Sequence, residues 1–168
     1  MLLETMEDLL LDQLRDLYSV ETQVEVALPQ VVVPTTSRLL REALTDRFEE
    51  TEGQIVRLQE ICGILGVSAR GPRCLGIAGL LQEMDDTMRR GTRGAPLDAV
   101  VIASMQRVAH YEMAAYASAI AYAKHLDQSR IVELLTLSLE EELAADARFA
   151  RIAETELLEQ GMQTAIAA

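Results

Sequence analysis

Apolar residues recur at spacings of three and four along most of the chain, and sustained apolar–polar alternation is absent. The pattern predicts helices and little strand. One stripe runs through Leu10, Leu14, Leu17, Val24, Ala27 and Val31, with Glu21 lying on it. Pro29 is expected to kink the end of this helix, because it removes the hydrogen bond to the carbonyl of Glu25. "PTTS", residues 34–37, supplies a turn with helix-capping candidates. A second long stripe follows through Leu40, Leu44, Phe48, Thr51, Ile55, Leu58, Cys62 and Leu65, ending near the loop "GVSARGPRC". "LGIAGLLQEMDDTMRR", residues 75–90, reads as a shorter helix, and "GTRGAPLD" as a second loop. The third long helix carries Val101, Met105, Val108, Glu112, Ala115, Ala119 and Tyr122. "HLDQS" makes a tight turn with Asp127 as the expected cap, and the last helix carries Ile131, Leu134, Leu135, Phe149, Ile152 and Leu157.

This order gives two antiparallel helical hairpins joined by a crossover that holds a short extra helix. Short loops make antiparallel neighbours, and one long crossover is the mark of an all-α, ferritin-like four-helix bundle. The expected organisation is a single domain over residues 1–168. A plain up-down bundle with an inserted surface helix is the alternative, and the long crossover favours the first.

Composition narrows the function. Hydrophobic residues make up 49% of the chain and the mean hydropathy is +0.11, which suits a packed globular protein. A net charge of −12 argues against general nucleic-acid binding, which needs basic residues to displace counterions. No apolar run approaches the length of a membrane span, and the acidic start does not resemble a secretory signal, so a cytoplasmic protein is expected. Cys62 and Cys74 lack CxxC spacing and read as buried neutral thiols.

The informative residues are glutamates. Glu21 and Glu112 each interrupt an apolar stripe, and a lone charge in a helical core costs several kcal/mol unless it is paired or bound to a metal. In an antiparallel hairpin, residues at one level are equidistant from the turn. Glu50 is level with Glu21 about the "PTTS" turn, and Glu142 is level with Glu112 about Asp127. "EETEGQ" (Glu49 to Gln54) also aligns with "EELAAD" (Glu141 to Asp146), which matches Glu50 with Glu142 and Gln54 with Asp146. Four glutamates meeting in a bundle core form a dinuclear carboxylate site, and all-oxygen donors suit two ions of iron or manganese. Solvated acidic faces are the competing reading for Glu50 and Glu142.

The blocks "LRDLYSVETQVEVALPQ", "FEETEGQIVRLQEI", "VAHYEMAAYASAIAYA" and "SLEEELAADARFARIAE" resemble the ferritin-like stress proteins of the YciE/YciF type, as does "RCLGIAGLLQE" in the connector. The similarity extends from about Leu9 to Glu156, in order and at matching spacings. It implies a ferritin-like bundle, usually dimeric, in bacterial stress physiology. The chain departs from the Glu-x-x-His pattern of well-understood di-iron proteins, because the i+3 positions are Gly53 and Ala145. Arg47 lies one turn before Glu50, placed to pair with a carboxylate and replace metal charge.

The remaining candidates are weaker. His110 points away from Glu112 around the helix, and His125 sits at a helix C-terminus, where a cation is favoured anyway. Tyr18 and Tyr116 lie one turn from Glu21 and Glu112, suited either to hydrogen-bond a ligating carboxylate or to simple packing. The connector arginines (Arg70, Arg73, Arg89, Arg90, Arg93) suit an anion or partner site or, as the favoured reading, neutralise an acidic surface. Neither a phosphate-cradling loop nor a nucleophile–histidine constellation is present.

Two functions follow. The first is a homodimeric stress protein with two iron or manganese ions held by Glu21, Glu50, Glu112 and Glu142, assisted by Asp146 and Gln54, oxidising ferrous iron or consuming peroxide. The second is a non-catalytic, metal-free bundle with a structural or interaction role, whose buried carboxylates pair with arginine or share protons.

Overall fold

The computed structural model describes residues 2–157. Five helices account for nearly all of them: α1 (Met6–Val32), α2 (Arg38–Ile64), α3 (Leu75–Arg90), α4 (Ala95–His125) and α5 (Ser129–Ile152), followed by a π-helical turn, Ala153–Leu157. Among the described residues there is no strand, and no helix is long and apolar enough to cross a membrane. The four long helices form a helical bundle in which α1 packs on α2, α4 on α5, and the two pairs meet through α1–α4 and α2–α5; α3 lies against α4 and α1.

Local chemistry sets the helix ends. α1 starts before its apolar stripe, because Thr5 and Asp8 form a capping box: Thr5 Oγ1 accepts from Asp8 N at 3.1 Å, and Asp8 Oδ2 accepts from Thr5 N at 3.0 Å. Pro29 lies inside α1, which continues through Val32. The expected cap in "PTTS" is Ser37, whose Oγ accepts from Leu40 N at 3.1 Å. α2 ends at Gly66 (φ 68°), where Val67 N bonds Cys62 O and Gly66 N bonds Gly63 O, a Schellman closure that needs the left-handed backbone glycine allows. The end of α4 repeats it with Asp127 (φ 54°): Gln128 N bonds Ala123 O and Asp127 N bonds Lys124 O. Asp127 therefore ends α4 and does not cap α5, whose N-cap is Gln128. The expected loop "GTRGAPLD" is also shorter, since Ala95–Asp98 already belong to α4 with Pro96 in its first turn.

The buried face of α2 differs from the expected stripe. Leu40, Leu44, Arg47, Thr51, Gln54, Leu58 and Ile61 face inward at a regular alternation of four and three, while Phe48, Ile55 and Leu65 are only partly buried. The regular face also corrects the internal repeat. Glu112 follows Glu21 by 112 − 21 = 91 residues, and the same offset carries Leu10, Leu14 and Leu17 onto Val101, Met105 and Val108, all buried. On the other pair of helices it carries Leu40, Leu44, Leu58 and Ile61 onto Ile131, Leu135, Phe149 and Ile152. The counterpart of Glu142 is therefore Thr51, one residue beyond Glu50.

The core has three layers. One apolar cluster includes Val24, Leu28, Leu44, Met105, Val108 and Phe149. The other includes Leu14, Leu17, Leu58, Ala119, Ile131 and Leu135. Between them lies a layer of buried polar side chains: Glu21, Arg47, Thr51, Gln54, Glu112 and Glu142, none more than 1% exposed. The described part of the last stripe is buried at Ile131, Leu134, Leu135, Phe149 and Ile152, whereas the Leu157 side chain lies outside the described residues.

Candidate functional site

Three of the four predicted glutamates converge. Glu21 on α1, Glu112 on α4 and Glu142 on α5 are fully buried, and each presents a carboxylate oxygen within 4.8 Å of the other two. Glu50 is not among them. It is half-buried on α2, one residue off the inward face, near Asp46, Glu141 and Arg148. Asp146 also lies outside the cluster. It accepts from Gln106 Nε2 at 3.1 Å and faces His110 Nε2 at 3.4 Å on a partly exposed side of the α4–α5 pair.

α2 contributes a cation where a fourth carboxylate was expected. The Arg47 guanidinium donates from Nη2 to Glu112 Oε2 at 2.6 Å and from Nη1 to Gln54 Oε1 at 3.0 Å, and Nη1 lies 2.8 Å from Glu142 Oε1. Gln54 Nε2 donates to Glu142 Oε1 at 2.6 Å and to Glu141 Oε2 at 3.1 Å. Glu141 pairs in turn with Arg57 at the seam between α2 and α5, so a hydrogen-bonded chain runs from the buried layer to solvent. Tyr116 donates its hydroxyl to Glu21 Oε1 at 2.7 Å. Tyr18 packs, partly buried, against the second apolar cluster, and its hydroxyl accepts from Gln59 Nε2 at 3.3 Å. Arg47 and Tyr116 stand out in the sequence beside the glutamates, whereas Thr51 as a site residue and the Glu141–Arg57 link do not. The available signal was the unbroken four-three spacing through Arg47, Thr51 and Gln54.

Burial dominates the electrostatics. It pushes Glu21 up to about 8 and Glu112 up to about 7, with Arg47 pulling both back down. Glu142 is raised well above the usual carboxylate range by burial and by the neighbouring Glu112, against the pull of Arg47. Burial alone would lower Arg47, but Glu112, Glu142 and Glu21 outweigh it and keep the guanidinium charged. One oxygen of each glutamate (Glu21 Oε2, Glu112 Oε1, Glu142 Oε2) has no hydrogen-bond partner, and neither do Arg47 Nε and the buried Thr51 hydroxyl. Unpartnered buried polar atoms are uncommon, and five in one layer call for further partners: protons, water or a cation for the oxygens, and an acceptor such as water for Arg47 Nε.

The donor set does not fit two metal ions. In the register of the structure Thr51 and Gln54 stand where α2 would carry a ligating carboxylate and histidine, Ala145 stands where α5 would carry its histidine, Glu50 is outside the cluster, and a guanidinium is bonded to two of the three buried carboxylates. A pair of divalent ions beside that fixed positive charge would leave the layer with excess positive charge.

The family profile described as "Domain of unknown function (DUF892)" matches residues 5–162. The chain belongs to the DUF892 family. It is 31% identical over 152 residues to the protein YciF of Escherichia coli, covering 90% of this chain and 92% of that one. The crystal structure of that protein, described as a stress protein, superposes with a TM-score of 0.85 over 90% of this chain and 96% of that chain. YcfI of Rhodopseudomonas palustris, whose description proposes a structural role, shares 42% identity and also superposes with a TM-score of 0.85, over 88% of this chain and 94% of the other. A protein of Xanthomonas campestris at 17% identity shares the fold, with a TM-score of 0.71 over 94% of this chain and 99% of that one.

Proposed function

We propose that this DUF892 protein is a ferritin-like four-helix bundle of the stress-protein group that acts as a structural or interaction protein and not as a dinuclear iron or manganese oxidase. One observation carries the reading: Arg47, 1% exposed, bridges Glu112 and Glu142 inside the layer where a metal pair would sit. A metal pair that oxidises ferrous iron or reduces peroxide needs open coordination positions and ligands that hold two ions close together. Here a guanidinium takes up the facing oxygens of Glu112 and Glu142 with hydrogen bonds. Similarity to YciF supports a place in stress physiology, and similarity to YcfI supports the structural role.

The test is turnover. Untagged protein is supplied with ferrous iron and then oxygen or peroxide, and ferric absorbance is followed alongside metal analysis. The expected rate equals that of buffer. Ferrous oxidation faster than buffer, accompanied by two ions per chain, restores the oxidase reading.

A further inference from the structure

The polar layer is not balanced by Arg47 alone. With all groups ionised, three carboxylates and one guanidinium leave a formal charge of −2 in a region closed to solvent. That deficit equals one divalent cation. The geometry agrees with the charge. Each glutamate uses one oxygen on a protein donor and leaves the other free: Glu21 bonds Tyr116, while Glu112 and Glu142 face Arg47. Opposed ligands of a single ion stand at about twice the metal–oxygen distance of ~2.0–2.6 Å, that is about 4–5 Å apart. The three carboxylates offer oxygens within 4.8 Å of one another. A separate observation comes from α2, where the Thr51 hydroxyl is fully buried without a partner on the inward face between Arg47 and Gln54.

We infer that the layer binds one small, hard divalent cation per chain through Glu21, Glu112 and Glu142, with the Thr51 hydroxyl as a further oxygen donor and Arg47 serving as a permanent second positive charge in place of a second ion. This rests on the reading above that Arg47 stays within the layer. The ligand class follows from the donors: the group is all oxygen, without histidine or cysteine, which selects Mn²⁺ or Mg²⁺ over softer ions. The ion has a structural role. It ties α1 of one hairpin to α4 and α5 of the other at mid-height, where the two apolar clusters are separated.

Mn²⁺ is the probe. Titration is followed by the loss of the free Mn²⁺ resonance in electron paramagnetic spectra, with thermal unfolding measured in parallel. The expected result is one Mn²⁺ per chain with the spectrum of an isolated ion and a higher Tm at saturation. Glu112→Gln weakens uptake at least about tenfold, since even partners behind a ligand commonly contribute that much. Thr51→Val covers the case in which Glu112→Gln does not fold. It leaves metal-free stability unchanged or higher, because an unpartnered hydroxyl is removed, yet lowers Mn²⁺ affinity. No uptake by folded wild-type protein, or uptake unchanged in both variants, overturns the inference and leaves the non-oxidase reading standing. Two ions per chain with a spin-coupled spectrum overturn both.

Discussion

A guanidinium at the centre of a helical core loses its hydration, a cost of several kcal/mol, and Arg47 offsets that cost through three acceptors: Glu112, Glu142 and the Gln54 carbonyl. The pairing works in both directions, because the same guanidinium holds down the energy of the buried carboxylates. Arg47→Met is therefore expected to destabilise the protein by about 3–5 kcal/mol near pH 9, above the values of Glu21 and Glu112, the usual effect of leaving a buried charge unpaired. The loss is smaller near pH 5, where Glu21 and Glu112 bind protons. Urea unfolding at the two pH values measures the difference, and equal losses at both would show that packing, not charge, is the role of Arg47. At this scale the sequence was readable wherever a charge stood on an otherwise apolar stripe, as at Glu21 and Glu112. It was misleading at Glu50, where acids on either side of the true face made a plausible but displaced candidate.

The elements explain that displacement. Hairpin geometry correctly fixed the height of the layer, since Glu21, Glu112 and Glu142 meet at one level. It did not fix the rotation of α2 about its own axis. Phe48 and Ile55 advertise a face roughly 100° from the one used, one residue of helical rotation. The polar Arg47, Thr51 and Gln54 turn inward because Glu112, Glu142 and Glu141 are there to receive Arg47 and Gln54. Helix ends also depend on partners from distant sequence. Asp98 on α4 is 2% exposed and accepts from Thr36 N at 2.9 Å, Thr36 Oγ1 at 2.6 Å and Ser37 N at 2.9 Å, which caps α2 from across the bundle. Asp98→Ala should cost about 1–3 kcal/mol by leaving these donors unpaired. The matching observation is faster amide exchange at Thr36 and Ser37 than in the wild type; unchanged exchange there would show that the cap is dispensable.

For the whole molecule, the charged layer governs pH dependence. Glu21 and Glu112 have folded-state values raised above those of the unfolded chain, so the folded state binds more protons than the unfolded one. The stability this linkage contributes is complete below the ordinary carboxylate range and is lost as pH rises through about 7 to about 8. Metal-free protein should therefore lose stability between about pH 5 and pH 8. Denaturant midpoints across that range check the sign. Saturating Mn²⁺ should flatten the fall, because the ion replaces the protons. A stability that rises with pH in metal-free protein would mean that the carboxylates are ionised and fully compensated by Arg47 alone.

By itself the sequence determined the helices, their order, the turn positions and the presence of buried glutamates, because periodicity, glycine and proline placement and charge on an apolar stripe are local properties. Only the tertiary structure decided which face of α2 entered the core, and with it whether the site held a fourth carboxylate or an arginine. Rotation about a helix axis is set by the side chains it meets on other helices. Here an arginine and a glutamine found acceptors on α4 and α5, whereas Glu50, turned inward, would have added a fourth negative charge to a layer that already lacked positive ones.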